Sequence, residues 1–127
     1  KNLSHGLIKH PGRYHANGCS PYIADIVEAP PIRDRLRLCL MDALRVVFDR
    51  GPAPRPSTIA PEAALLASRD PVAADAVGLS ILNDIRQKKK MDPIARSPGE
   101  IGYLAHAHRR GLGIAAWHGI DLVRIKP

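Results

Sequence analysis

Aromatic residues are scarce, with one Phe, one Trp and three Tyr in 127 residues. Surfaces that stack nucleic-acid bases need several such rings, and no groove-reading motif is present. Cysteine is scarcer still. Cys19 and Cys39 cannot build a disulfide framework or supply the four thiolates of an iron–sulfur cluster. They could make one bridge or remain thiols. Cys39 lies in an apolar strand pattern, where cysteine behaves as a small hydrophobe, so free thiols are expected. No apolar run reaches the roughly 18–20 residues of a membrane helix. The longest candidate, Pro71 to Leu82, is shorter and contains Asp75. A secretory signal is not visible either, because Lys1-Asn2-Leu3-Ser4-His5 lacks the necessary apolar segment. A soluble chain is expected, cytoplasmic or exported with its signal lost upstream of Lys1.

What is present is ordinary for a folded domain: 45% hydrophobic and 24% charged residues. The length suits one domain over 1–127, or part of one. The formal net charge is +7. It is dispersed: residues 1–60 hold nine Lys/Arg against five Asp/Glu, and residues 61–127 hold ten against seven. The one dense run is Lys88-Lys89-Lys90. A dispersed excess without reading motifs suits a solvated surface or a small-anion site better than a nucleic-acid interface.

Residues 1–20 lack periodicity and read as irregular. Ser20-Pro21 opens a short helix over about 21–28, with Tyr22, Ile23, Ile26 and Val27 at helical spacing, and Pro30-Pro31 stops it. Arg35 to Leu40 alternates as a strand does, and Met41-Asp42-Ala43-Leu44 either extends it or begins a turn. Gly51 to Pro56 is a stiff, extended connector. Ala63 to Ser68 reads as a buried strand. Asp70-Pro71 then starts a long helix to about Gln87, because Asp accepts free amide hydrogens at the cap and Pro is preset for the first turn. Ser97-Pro98-Gly99-Glu100 has the form of a capping box and starts a helix to about Arg110, ended by Gly111. Ile120 to Ile125 alternates and is expected to be the last strand. Strands interleaved with helices give an α/β fold with a small mixed or mainly parallel sheet and packed helices. Three strands are few for a free-standing sheet, so part of a larger α/β domain is expected to be missing.

Three segments carry candidate chemistry. The first is the run with His5, His10, His15 and Cys19, flanked by Lys1, Asn2, Lys9 and Arg13. Imidazoles and a thiol can ligate a metal, while the amines and guanidinium can hold an anion. The five-residue steps match neither one helix face nor the usual zinc spacing. The second is Arg69 to Asp75. Asp70 is explained by the helix cap. Asp75 falls on a stripe with Val72, Leu79 and Leu82, and a carboxylate there requires a paired cation, a metal or a proton. Arg69 or an N-terminal lysine is a candidate partner. The third is Asp42, at or past a strand end. If its strand ran parallel beside the one preceding Asp70, the two carboxylates would share a rim, where α/β sheets bind ligands.

These segments also carry a resemblance. Leu38-Cys39-Leu40-Met41-Asp42-Ala43-Leu44, Gly51-Pro52, the run Leu65 to Val77 with its Asp70-Pro71-Val72-Ala73-Ala74-Asp75 element, Gly111-Leu112-Gly113 and the opening Lys1-Asn2-Leu3 resemble domain-of-unknown-function family 362 (DUF362) over nearly the whole chain. The resemblance implies that this is the C-terminal portion of a longer α/β domain. Some relatives carry ferredoxin-like cluster modules or export signals. This chain has no Cys-x-x-Cys, so no iron–sulfur cluster is expected in it.

The leading expectation is a domain that binds a divalent cation or a small anionic ligand. Asp42, Asp70 and Asp75 are its candidate catalytic residues; Lys1, Asn2, His5, Lys9, His10 and Arg69 are candidate ligand-binding residues; His10, His15 and Asp75 are candidate metal ligands. The alternatives are a redox accessory protein of an iron–sulfur system and a non-specific nucleic-acid binder. A truncated sheet leaves an edge that invites pairing, so a homo-oligomer is expected, or pairing with a missing N-terminal part of the domain.

Overall fold

A computed structural model describes residues 2–51 and 53–125. Short helical pieces come first: α1 (Asn2–His5), α2 (Ala16–Cys19), α3 (Tyr22–Glu28) and α4 (Pro30–Arg33). Strands β1 (Cys39–Val47) and β2 (Ile59–Ser68) follow, then α5 (Pro71–Lys88) and α6 (Gly102–Arg109). The fold is a small α/β structure, as the sequence implies, and no described helix is long and apolar enough to cross a membrane.

The sheet departs from the expected one. It is two-stranded, and β1 pairs antiparallel with β2, Cys39 opposite Ser68 and Val47 opposite Ile59. The connection explains the direction. A parallel crossover needs about a dozen residues or more, usually helical, whereas residues 48–58 are proline-rich, and their described residues hold no helix but a 3₁₀ turn at Pro56–Thr58. The register slips between Ala43 and Arg45, and Ala63 takes a left-handed φ of 54° there, so β2 carries a bulge. Ile120 to Ile125 forms no strand. Its alternation finds no partner, and Val123 and Ile125 stay 73% and 89% exposed.

The helix α5 organises the rest. Asp70 Oδ1 accepts from Val72 N at 2.8 Å and Ala73 N at 2.9 Å, which satisfies two of the first turn's free donors. The helix then runs 18 residues, about 27 Å. It packs on both strands and on α6. Near its N-terminus Val72 joins Ala24, Leu104, Ala107 and Ala115 in one core cluster. Near its C-terminus Ile85 joins Phe48 and Ala60 in a second. Two polar side chains pin loops to its far end. Asn83 donates to Ala95 O and accepts from Ile94 N, while Arg86 donates to Asp92 O and Phe48 O, each at 2.7 Å.

The capping box forms differently from its sequence pattern. Ser97 makes no side-chain cap, and Glu100 Oε2 accepts from Arg96 N at 2.9 Å instead. Residues 98–100 are a 3₁₀ turn, and α6 begins at Gly102. Gly111 does leave the helix with φ of 70°, the left-handed geometry expected of it. Arg110 ties this end to α3 by donating to Asp25 Oδ1 at 2.5 Å and Glu28 Oε2 at 3.2 Å. Both cysteines are free thiols.

Candidate functional site

A cavity of about 560 Å³ opens between α1, α3, α5, α6 and the start of β1. Its wall is mainly aliphatic, from Ile23, Val27, Val72 and Leu104 among others. Into it come a few polar residues: Ser4, Cys39, Asp75 and Tyr103, with Asp42 at its border. This composition, apolar walls with few polar groups, is that of small-molecule sites generally.

Asp75 and Tyr103 are its centre. Asp75 sits half-buried one turn into α5, and the Tyr103 hydroxyl donates a hydrogen bond to its carboxylate. Burial first, then the Asp75 charge and this hydrogen bond, and lastly Cys19, drive the Tyr103 phenol far above its ordinary range. Tyr103 is therefore a fixed donor. It is one partner of the carboxylate that the apolar stripe made conspicuous; Arg69 is exposed, and Lys1 lies outside the described residues. Cys39 stands at the first position of β1. Burial pushes its thiol up, and the charges of Asp70 and Asp75 push in the same direction. Both groups thus hold their protons to higher pH than free side chains do, burial being the larger cause and the carboxylates adding to it.

The three candidate carboxylates divide. Asp70 and Asp75 both raise the Cys39 thiol through their charge, but of the two only Asp75 lines the cavity. Asp70, however, spends its oxygens on the backbone. Besides the helix cap, its Oδ2 accepts from Ile114 N at 2.7 Å. Gly113 passes so close that any Cβ there would meet Asp70 Oδ1, which is why this position carries glycine. Asp42 borders the cavity and a second one of about 430 Å³ beside it. Strand alternation nevertheless sets it on the face opposite Cys39 and Met41, with Leu40, 75% exposed, and across from Leu65, 72% exposed. Its Oδ1 accepts from Leu44 N at 2.7 Å across the bulge. The shared rim was expected of parallel strands with Asp42 at a strand end; the strands pair antiparallel, and Asp42 lies inside β1.

The N-terminal candidates divide too. Lys9, His10 and Arg69 are exposed. Lys1 and the Asn2 side chain lie outside the described residues. His5 is buried, and its ring packs edge-on against that of His15, with centroids 4.8 Å apart. Among the described residues, the His, Cys and carboxylate groups near enough to share an ion are His5, His15 and Cys19, whose ligand atoms all lie within 4.8 Å of one another. Of the expected metal set His10, His15 and Asp75, only His15 belongs to this cluster. Cys19 belonged to the candidate N-terminal run but not to the expected metal set, and Tyr103 was not a candidate. For Tyr103 the available signal was its place on the inward stripe of α6, one residue before the core Leu104.

The sequence model for a domain of unknown function, DUF362, matches residues 1–80, which carry β1, β2, the Asp70 cap and Asp75 but not Tyr103 or Gly111–Gly113. No curated protein and no solved structure matches the chain. With the match spanning more than half of its length, the chain belongs to the DUF362 family.

Proposed function

We propose that the chain binds a small molecule in the Asp75–Tyr103 cavity, through a cationic or hydrogen-bond-donating group set against Asp75 and an apolar body against the aliphatic wall. The observation that carries this reading is the meeting of Asp75, Tyr103 and Cys39 at one aliphatic cavity of about 560 Å³. The Tyr103 hydroxyl donates to the Asp75 carboxylate and helps to orient it as a hydrogen-bond acceptor. An anionic ligand, the other half of the leading expectation, would meet two carboxylate charges at a thiol they already keep protonated. The charge sign therefore favours an ammonium or amidinium group, or a neutral donor.

Thermal melting of the full chain with benzylamine and with benzoate, probes of similar size and opposite charge, tests it. At ten times its Kd, benzylamine should stabilise by about 1.4 kcal/mol, roughly 4–6 °C for a domain of this size. The shift should vanish in Asp75→Asn. Equal shifts by both probes, no shift by either, or a benzylamine shift that survives Asp75→Asn would each overturn the reading.

A further inference from the structure

We propose that His5, His15 and Cys19 form an open-sided site for a single divalent ion of the zinc class. The argument is independent of the Asp75 cavity.

The first support is the donor set. Two imidazoles and one thiolate are the ligands that zinc, and cobalt in its stead, prefer over calcium or magnesium. Their ligand atoms already lie within 4.8 Å of one another. Zinc bond lengths imply ligand atoms about 3.4 Å apart in a tetrahedral site, so closure of at most about 1.4 Å suffices.

The second support is orientation. His15 Nδ1 lies 2.9 Å from Pro11 O, and His5 Nε2 lies 3.3 Å from Tyr14 O. A carbonyl oxygen only accepts, so each of these nitrogens carries the hydrogen. The neutral rings are thereby fixed as tautomers with lone pairs on His15 Nε2 and His5 Nδ1. Ligating histidines are held in this way, the second nitrogen donating to a backbone carbonyl. Ser4 Oγ, 3.2 Å from His5 Nδ1, marks the lone pair that an ion would take over.

The third support is the backbone between the ligands. Asn17, Gly18 and Cys19 have φ of 51°, 62° and 67°. Three consecutive left-handed residues are rare, because the carbonyl crowds Cβ; Gly escapes the cost, Asn tolerates it and Cys does not. The turn reverses the chain after His15, with Cys19 N donating to His15 O at 3.4 Å, and brings the buried thiol to the rings. Strain of this kind is kept where a geometry is needed. His15 is exposed, so an ion has a way in.

Three protein ligands leave the fourth tetrahedral position to water or a ligand. On binding, the Cys19 thiol gives its proton to solvent as sulfur bonds the ion, while the neutral imidazoles release none.

The test uses the full chain, stripped with chelator and titrated with Co²⁺. The expected result is a saturable thiolate-to-cobalt charge-transfer band with the visible bands of tetrahedral cobalt, both removed by Zn²⁺. Cys19→Ser should abolish the charge-transfer band. His15→Ala, at an exposed position, should weaken binding by more than the roughly 10–100-fold lost with an outer-shell partner. His10→Ala should leave it unchanged. Absence of the charge-transfer band at equimolar cobalt would overturn the proposal. So would a His15→Ala chain that binds like the wild type, or a loss in His10→Ala equal to that in His15→Ala.

Discussion

Asp70 offers the sharpest test of how this fold is held, because its two oxygens do separable things. Oδ1 caps α5 through Val72 N and Ala73 N, and Oδ2 holds the 113–114 loop through Ile114 N. Losing an Asp cap to Ala costs about 1 kcal/mol. A backbone donor deprived of a charged acceptor costs about 1.5 kcal/mol where water has partial access. Asp70→Ala should therefore lose about 2.5 kcal/mol, near 10 °C in Tm for a domain of this size. Asp70→Ser keeps a capping oxygen but is too short to reach Ile114 N, so it should lose only about 1.5 kcal/mol. Urea unfolding followed by circular dichroism reads both, and the m-value should not change. If Asp70 were spared for chemistry rather than structure, Asp70→Ala would unfold within about 0.5 kcal/mol of wild type, as surface substitutions do. That result would refute the account. Equal losses for the Ala and Ser variants would refute the cap alone.

Two further predictions concern the cavity. The folded chain holds the Tyr103 phenolic proton to higher pH than the unfolded one does. Its stabilising contribution is thus complete below about pH 10, the ordinary tyrosine value, and declines as pH rises through and beyond it; Tyr103→Phe should flatten the alkaline limb of a stability–pH curve, and an unaltered limb would count against the Asp75 bond. Cys39, studied in a Cys19→Ser background, should alkylate more slowly at about pH 8 than a free cysteine, whose pKa is about 8.5; Asp75→Asn should speed the reaction by removing one charge that raises the thiol, and an unchanged rate would contradict the shared field.

How much of this could be read beforehand depended on whether the signal was local. Asp70-Pro71 is self-contained: the cap, the preset proline and the apolar run after it specify α5 almost to the residue. Gly111 is similar. Ile120 to Ile125 shows the opposite case, since alternation is a statement about two faces and a strand needs a neighbour to bond. Sheet direction was legible in principle. The 48–58 link is short and broken by proline, and that alone disfavours a parallel crossover. The alternation that sets Cys39 inward gives Asp42 to the other face of β1, so it reaches the cavity only at its border, while Asp70 is taken up by backbone donors.

The surviving centre follows from a different kind of information. Asp75 was conspicuous because a carboxylate among Val72, Leu79 and Leu82 demands an explanation. Its partner is 28 positions away on another helix, and helix-to-helix packing carries no spacing rule at that range. The same holds for His5, His15 and Cys19, whose separations of ten and four residues match no metal motif. What joins them is the left-handed turn at Asn17-Gly18, residues that favour that conformation. A pattern search expects ligands on one regular element. Here a strained reversal replaces the element, so the turn residues, rather than the ligand spacing, were the signal. Each centre is therefore set by one long-range contact: α6 against α5 for Asp75, and α1 against the 15–19 turn for the histidines. Substitutions in the intervening core, such as Leu104→Ala at a site only 2% exposed, should loosen the Asp75–Tyr103 pair without touching either residue.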